Sequence, residues 1–270
     1  MVDQHLHTCF SYDADSGNTP GKVIVRAVEL GLEGIAITDH LDPLWPDDEF
    51  PSIIDLAGYE KALTEAEETA ARTAPGFHFA KGIELGLMPV PEALAICGET
   101  VTGFPYDFVI ASVHSSPESP IDMEPFLTGR SIREINEEYY SLLFESLKVY
   151  KDYDVLGHLN AIDRYTDGYA PESVYLPLAD EVLRLAVSDG KGIEINTSSF
   201  RYGIGDRGTP SQAILNRFRE LGGEIVTLGS DAHRVSDIGA GLSEGAAMLR
   251  AAGFTRYAVF KNRKPTFVKI

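Results

Sequence analysis

Short apolar runs separated by longer polar stretches recur along the chain, and they predict buried β-strands. Seven such runs occur, at residues 2–6, 34–38, 77–83, 108–113, 155–157, 192–195 and 225–228. Near-continuous hydrophobicity is typical of parallel strands that are covered on both faces. The pattern therefore predicts a parallel sheet of seven strands.

The segments between these runs carry the spacing of amphipathic helices. They lie at residues 21–30, 59–72, 131–151, 178–188, 211–221 and 243–252, and only the crossover near residues 91–97 looks short and weak. Alternating strands and helices form βαβ units with right-handed crossovers. Seven strands in succession, with no change of composition, predict an α/β fold with a closed or nearly closed barrel. A doubly wound open sheet is the alternative.

We expect one domain over residues 1–270. The length would permit two domains, but closed α/β barrels reach this size as one unit. No Gly/Ser linker divides the chain, and the turn-rich segments at 41–52, 115–129 and 201–210 each follow a predicted strand. We interpret these segments as active-site loops. Residues 255–270 are expected to add a short strand pair beside the barrel.

The composition narrows the classes of partner. The net charge of −18 and the pI near 4.7 mean that the average surface repels polyanions, so a nucleic-acid or anionic-membrane partner is not expected. No run approaches the roughly 18 apolar residues of a transmembrane helix. The first residues, MVDQHLHT, are neither basic nor apolar, and a cytoplasmic location is therefore expected.

Ionisable side chains cluster at the predicted ends of the strands. They are His5, His7, Asp39, His40, Glu84, His114, His158, Glu194, Asp231 and His233, with Asp13 following the first strand. Six of the seven histidines are among them. In a parallel barrel these ends converge on the face that carries active sites.

The spacing within this set favours metal binding. His5 and His7 are two positions apart, so both imidazoles point to the same side of a strand, and Asp231 and His233 repeat this spacing. Imidazole and carboxylate ligands without thiolates suit Zn²⁺, Mn²⁺ or Fe²⁺. The alternative is a polar but inert barrel mouth, which would leave many buried nitrogens without partners.

Other catalytic templates are missing from the sequence. It contains no HExxH and no GxxxxGK[ST] motif, and a Ser-His-Asp triad would leave five histidines unexplained. Cys9 and Cys97 are expected to be free thiols, because a chain of this size does not need a disulfide.

The motifs DQHLHT, ITDH, GIE, ASVHS, GHL and GSDAH, in this order and across nearly the whole chain, resemble the PHP (polymerase and histidinol phosphatase) superfamily. The segments EINTSSFRYG, TPSQAIL, VTLGSDAH and AVFKNRKPTFV look like those of stand-alone histidinol phosphatases rather than polymerase modules. The resemblance implies a distorted seven-stranded (β/α) barrel with a site for about three divalent metals at the carboxyl ends of the strands.

The resemblance also implies a ligand set for each metal. The first metal would be held by His5, His7, Glu84 and Asp231. The second would be held by Glu84, His114 and His158, so that Glu84 bridges the two. The third would be held by Asp13, His40 and His233. Glu84, Asp231 and His233 are the residues expected to act directly in catalysis.

Arginines in two loops are implied to bind phosphate. Arg164 follows the GHL motif and Arg201 follows EINTS, and the guanidinium fork binds phosphate oxygens bidentately. We interpret Arg207 and Arg234, on neighbouring loops, as solvated charges.

Three carboxylates near the ligand motifs have other expected roles. Asp3 and Asp39 are expected either to orient an imidazole behind the ligands or to cap a strand end. Glu194 is expected to lie behind the ligands rather than to be one.

The expected reaction is hydrolysis of a phosphate monoester, with a water shared by two metals attacking phosphorus while the arginines stabilise the phosphoryl oxygens. L-histidinol phosphate is the first choice of substrate. The loop at residues 41–50 contains Asp42, Asp47, Asp48 and Glu49 beside Trp45, and it could offer a carboxylate and an aromatic wall to this cationic leaving group. The alternatives are another small phosphate ester and a catalytically idle PHP module that serves as an interaction platform. The sequence does not predict an oligomeric state.

Overall fold

The structure is a computed structural model that describes residues 1–46, 54–202 and 208–270. Within these residues the barrel strands are β1 (Val2–Asp3), β2 (Gly34–Ile37), β4 (His78–Gly86), β5 (Phe108–Ser112), β6 (Val155–Leu156), β7 (Gly192–Asn196) and β8 (Val226–Gly229). A short strand β3 (His40–Leu41) continues the path of β2 and pairs with β4. Every predicted strand is present at its expected place.

All barrel strands are parallel, and their order in the sheet is β1-β2-β4-β5-β6-β7-β8. The two ends of this sheet approach each other. The backbone nitrogen of Gln4 donates to the carbonyl oxygen of Leu228 at 2.9 Å. The backbone nitrogen of Asp231 donates to the carbonyl oxygen of His5 at 2.7 Å. These bonds form a seam between β1 and the end of β8, and the barrel is nearly closed as predicted.

Helices connect the strands and cover the outside of the barrel. They are α1 (Pro20–Glu29), α2 (Leu56–Thr73), α3 (Pro91–Gly103), α4 (Glu124–Leu127), α5 (Ile132–Val149), α6 (Glu172–Ser188), α7 (Gln212–Glu220) and α8 (Leu242–Ala251). The prediction of a weak crossover near residues 91–97 is wrong, because α3 has 13 residues. Pro91 supplies a favourable start, and buried Leu94 and Val101 anchor the helix against the barrel. None of the helices in the described ranges is long and apolar enough to cross a membrane.

The chain ends in an antiparallel hairpin of β9 (Arg256–Lys261) and β10 (Lys264–Lys269), which matches the expected strand pair. Ala258 and Phe260 of β9 pack in one apolar cluster with five residues of the barrel strands: Ala36, Ala80, Phe108, Ile110 and Val155. The rings of Phe108 and Phe260 stack with their centroids 5.0 Å apart. The hairpin therefore closes the end of the barrel at which the strands begin.

Candidate active site

The strand-end histidines and carboxylates meet at the opposite end of the barrel. Among the residues that the structure describes, four groups of three side chains place possible metal-binding atoms within 4.8 Å of one another: His5/His7/Glu84, Glu84/His114/His158, His7/His40/His233 and His40/Asp42/His114. The first two groups match positions that the family resemblance implies, and Glu84 belongs to both.

The first position is formed by β1, β4 and the loop after β8. The Nε2 atoms of His5 and His7 lie 3.1 Å apart. Oε2 of Glu84 is 3.1 Å from Nε2 of His5, and Oδ1 of Asp231 is 3.2 Å from Nε2 of His7. All four side chains are buried.

The outer ring nitrogens of these two histidines are held by hydrogen bonds. Nδ1 of His5 donates to Oε1 of Glu194 at 2.7 Å, because a carboxylate oxygen accepts. Oγ of Ser11 donates to Asp39 at 2.6 Å, so it must accept from Nδ1 of His7, at 2.9 Å. When these imidazoles are neutral, as in a metal-bound state, their ring protons are on Nδ1 and the lone pairs of both Nε2 atoms point inward.

The four side chains of the first position have a geometry that fits a metal ion. Two inward lone pairs of imidazole and two carboxylate oxygens would repel one another across about 3–4 Å. A positive charge among them removes the repulsion, and the mixed nitrogen and oxygen set suits a divalent transition metal. The residues of the first position therefore fit the group that the family resemblance implies.

The second position lies between β4, β5 and β6. Oε1 of Glu84 is 2.9 Å from Nε2 of His158 and 3.4 Å from Nε2 of His114. The two imidazole nitrogens are 3.3 Å apart. Oγ of Ser112 donates to the same oxygen of Glu84 at 2.6 Å, which fixes the carboxylate between the two positions.

The third position is at the mouth of the barrel. Oδ2 of Asp13 is 3.0 Å from Nε2 of His233, and Oδ1 is 3.6 Å from Nε2 of His40. The ring of His7 packs against the rings of both His40 and His233, each centroid 4.2 Å away. The three residues implied for this position are thus together, and His7 lies next to them.

The electrostatics of the centre favour ionised carboxylates. Burial acts to raise the pKa of Glu84, but the imidazoles of His5, His114 and His40 outweigh it and hold that pKa well below its ordinary value. Burial likewise acts to raise the pKa of Asp231, and His5 and neighbouring histidines reverse the effect. Both carboxylates are therefore ionised in the pH range in which proteins work.

Two arginines border this centre. Nη2 of Arg164 donates to Oγ of Ser198 at 2.6 Å, and Nη2 of Arg201 donates to the carbonyl oxygen of Ser230 at 2.8 Å. Among the described residues, Nε of Arg164 and Nη1 of Arg201 have no hydrogen-bond partner although both atoms are buried. Buried guanidinium donors without partners are free to bind an anion.

The centre and the arginines open into one cavity of about 850 Å³. Its walls include His40, His114, His158, Asp231 and His233 from the metal-binding set, Arg164 and Arg201, and the side chains of Tyr12, Trp45, Asp122, Met123 and Tyr165. The cavity is large enough for a small molecule with a phosphate group at one end.

The structure specifies the roles of the three carboxylates near the ligand motifs. Asp3 does not orient an imidazole, because its carboxylate accepts from the backbone and hydroxyl of Ser230 and from the backbone of Gly239. It fixes the loop after β8. Asp39 acts on His7 only through Ser11, and Glu194 contacts His5 directly.

The structure describes only some of the residues of the acidic loop at residues 41–50. Asp42 is buried, and its Oδ1 lies 2.7 Å from Nδ1 of His114, a contact that the sequence did not predict. Trp45 lines the cavity. Asp47, Asp48, Glu49 and Arg207 lie outside the described residues.

The sequence profile of the PHP domain matches residues 3–198. The chain belongs to the PHP domain family. The "Histidinol-phosphatase" of Lactococcus lactis subsp. lactis strain IL1403 is 29% identical over 269 residues, which cover 97% of this chain and 95% of that protein. A Thermotoga maritima protein named "Probable histidinol-phosphatase" is 26% identical over 272 residues and covers 100% of both chains.

A solved structure extends this likeness to three dimensions. The crystal structure of the histidinol phosphate phosphatase of Lactococcus lactis, complexed with zinc, L-histidinol and phosphate, matches with a TM-score of 0.86. It is 26% identical, and the match covers 98% of each chain. The family resemblance deduced from the motifs is confirmed.

Proposed function

We propose that this chain is a metal-dependent phosphatase that hydrolyses L-histidinol phosphate to L-histidinol and phosphate. The observation that carries the proposal is the shared cavity: a carboxylate-bridged histidine cluster lies beside two arginines with unpartnered donors. The near full-length similarity to a histidinol phosphatase whose crystal structure contains zinc, L-histidinol and phosphate supports the same substrate.

The residues fit three divalent metals of the zinc, manganese or iron type. When bound, such metals supply Lewis acidity and lower the pKa of a coordinated water. His5, His7, Glu84 and Asp231 would hold the first; Glu84, His114 and His158 would hold the second; Asp13, His40 and His233 would hold the third. Glu84 sets the spacing of the first two positions, because its two oxygens face different histidines.

The arginines would bind the phosphoryl group. Both arginines line the cavity, and Nε of Arg164 and Nη1 of Arg201 have no hydrogen-bond partner among the described residues. The positive charge of the two guanidinium groups would oppose the negative charge that builds up in the transition state. Nη1 of Arg164 also lies 3.8 Å from Oδ2 of Asp231. This contact ties the phosphate-binding side of the cavity to the metal-binding side.

The other walls of the cavity suit a cationic leaving group. The rings of Tyr12 and Trp45 lie 5.6 Å apart at the cavity wall. The charge of Asp122 acts on both Tyr12 and Tyr165 and contributes to raising their pKa values, after burial. An amine or imidazolium that packs against these aromatic rings would therefore meet a carboxylate. We assign the recognition of the histidinol amine or imidazole to this wall.

We further propose that residues 1–270 form one PHP-type domain that acts in the cytoplasm on a small phosphate monoester. The net charge of −18 disfavours nucleic acid and anionic membranes as partners.

The test is phosphate release from L-histidinol phosphate beside a panel of phosphomonoesters, using protein whose metals have been counted by elemental analysis. We expect the highest kcat/KM for histidinol phosphate and close to three metals per chain. A higher kcat/KM for another ester would transfer the same metal chemistry to that substrate. Metal-free protein that stays inactive after reconstitution would instead favour an idle interaction module.

A further inference from the structure

Asp42 occupies an unusual place for a loop carboxylate. It follows β3 directly, and only 3% of its surface is exposed. Oδ1 lies 2.7 Å from Nδ1 of His114. Because a carboxylate oxygen accepts, Nδ1 of His114 must donate, and the free lone pair of this imidazole is then on Nε2. Nε2 is the atom that faces Glu84 and His158.

The space for this carboxylate is provided by Gly86, the last residue of β4. A Cβ atom at position 86 would overlap Oδ1 of Asp42 and would lie 3.2 Å from Nδ1 of His114. Any other residue at this position would push the carboxylate away from the imidazole. The glycine is needed here for space, since its backbone does not have a positive φ.

The same arrangement occurs a second time in the barrel. Glu194 accepts from Nδ1 of His5 at 2.7 Å, and a Cβ atom on Gly229 would overlap Oε1 of Glu194. Two histidines on different strands thus each have a buried carboxylate behind them, and each carboxylate fits against a strand-end glycine. This repetition indicates a requirement of the site rather than a packing accident.

We propose that Asp42 is a positioning residue that fixes the ring orientation and tautomer of His114 for the second metal position, and that Gly86 is its structural partner. Carboxylates behind ligating histidines raise ligand basicity, and their loss typically lowers metal affinity by about 10–100-fold. Asp42 would act through His114 and not as a ligand. This inference concerns the metal site and does not depend on the identity of the phosphate ester.

The test measures zinc affinity, position by position, by chelator competition on zinc-loaded protein. Asp42→Ala removes the acceptor, and we expect full zinc stoichiometry at saturating metal, with one position about 10–100-fold weaker. Asp42→Asn keeps an uncharged acceptor and should lose less. Gly86→Ala keeps the carboxylate but displaces it, and should resemble Asp42→Ala.

Two comparisons separate positioning from general damage. Gly86→Ala should add little further loss in the Asp42→Ala background, because both changes break the same contact. Gly98→Ala, whose Cβ would meet only Tyr150 at 3.9 Å, is the matched control and should leave zinc affinity unchanged.

Three results would overturn the proposal. Unchanged zinc affinity in Asp42→Ala would show that the contact has no role in metal binding. Complete loss of one zinc equivalent at saturating metal would show that Asp42 is itself a ligand. Fully additive losses in the double variant would show that Gly86 does not act through Asp42.

Discussion

Oε2 of Glu84 lies 3.1 Å from Nε2 of His5. The other oxygen of the same carboxylate lies 2.9 Å from Nε2 of His158, on the far side of the cluster. One buried side chain near the carboxyl end of β4 therefore contacts histidines that follow β1 and β6.

Glu84→Ala should lower the metal content by about two ions per chain and abolish turnover. Both oxygens are lost together, and the first and second positions share them. Elemental analysis and phosphate release measure the two effects, with Glu68→Ala on the exposed side of α2 as a control. Full activity with unchanged metal content would rule out the bridging role.

Arg201→Ala should raise KM for the substrate and weaken inhibition by inorganic phosphate. A hydrogen bond to a charged group contributes about 1.5–3 kcal/mol, so we expect kcat/KM to fall by roughly 10–100-fold. Arg201→Lys keeps the charge but loses the guanidinium fork and should recover part of the loss. Arg250→Ala, exposed on α8, is the control. An unchanged kcat/KM would place Arg201 outside the phosphate site.

Asp122→Asn should affect substrate choice more than chemistry. We expect kcat/KM for histidinol phosphate to fall roughly twofold to fivefold, the scale of a solvent-exposed ion pair. The rate with phenyl phosphate, whose leaving group carries no positive charge, should stay the same. Steady-state kinetics with both substrates provide the comparison. An equal loss for both esters would contradict a role in recognising the leaving group.

His78, the histidine outside the metal-binding set, should make stability depend on pH. Burial lowers its pKa below 6.5, and the nearby Lys261 adds to this effect. The unfolded chain then binds the proton more readily, so this contribution is fully present above pH 6.5 and is lost as pH falls through the folded-state pKa. In the native hairpin contact, Nε2 lies 3.0 Å from the carbonyl oxygen of Phe260.

His78→Gln removes this titration and should flatten the fall in the free energy of unfolding below pH 6.5. Denaturant unfolding at several pH values measures it, and the difference between variant and wild type at each pH cancels the contribution of the other groups. Parallel curves for the two proteins would refute the prediction.

The strands and the ligand motifs were predictable because each depends on local pattern. Apolar runs mark parallel strands, and polar residues at the ends of such runs must converge once a barrel forms. The same reliance on local pattern explains why the crossover that forms helix α3 was predicted to be short and weak. Gly98, Thr100 and Thr102 are weak helix formers, and packing against the barrel decides the outcome there.

Asp42 could not be predicted from local pattern. It stands in a loop with three other acidic residues, and such a charge run is usually solvated. Its burial depends on the space left by Gly86 and on the imidazole of His114, which are far away in the sequence. The missing hydrogen-bond partner of Nε of Arg164 likewise depends on the folded structure and not on local sequence.

The seam between β1 and the end of β8 also brings the two ends of the chain to the proposed first metal position. The first position takes His5 and His7 from the start of the chain and Asp231 from near its end, and the backbone bonds of the seam bring them together. A nascent chain still lacking its last barrel strand cannot assemble that set. Ions bound at this proposed position would favour the docked strands over the open ones, so that barrel closure and binding of the first ion would be thermodynamically coupled.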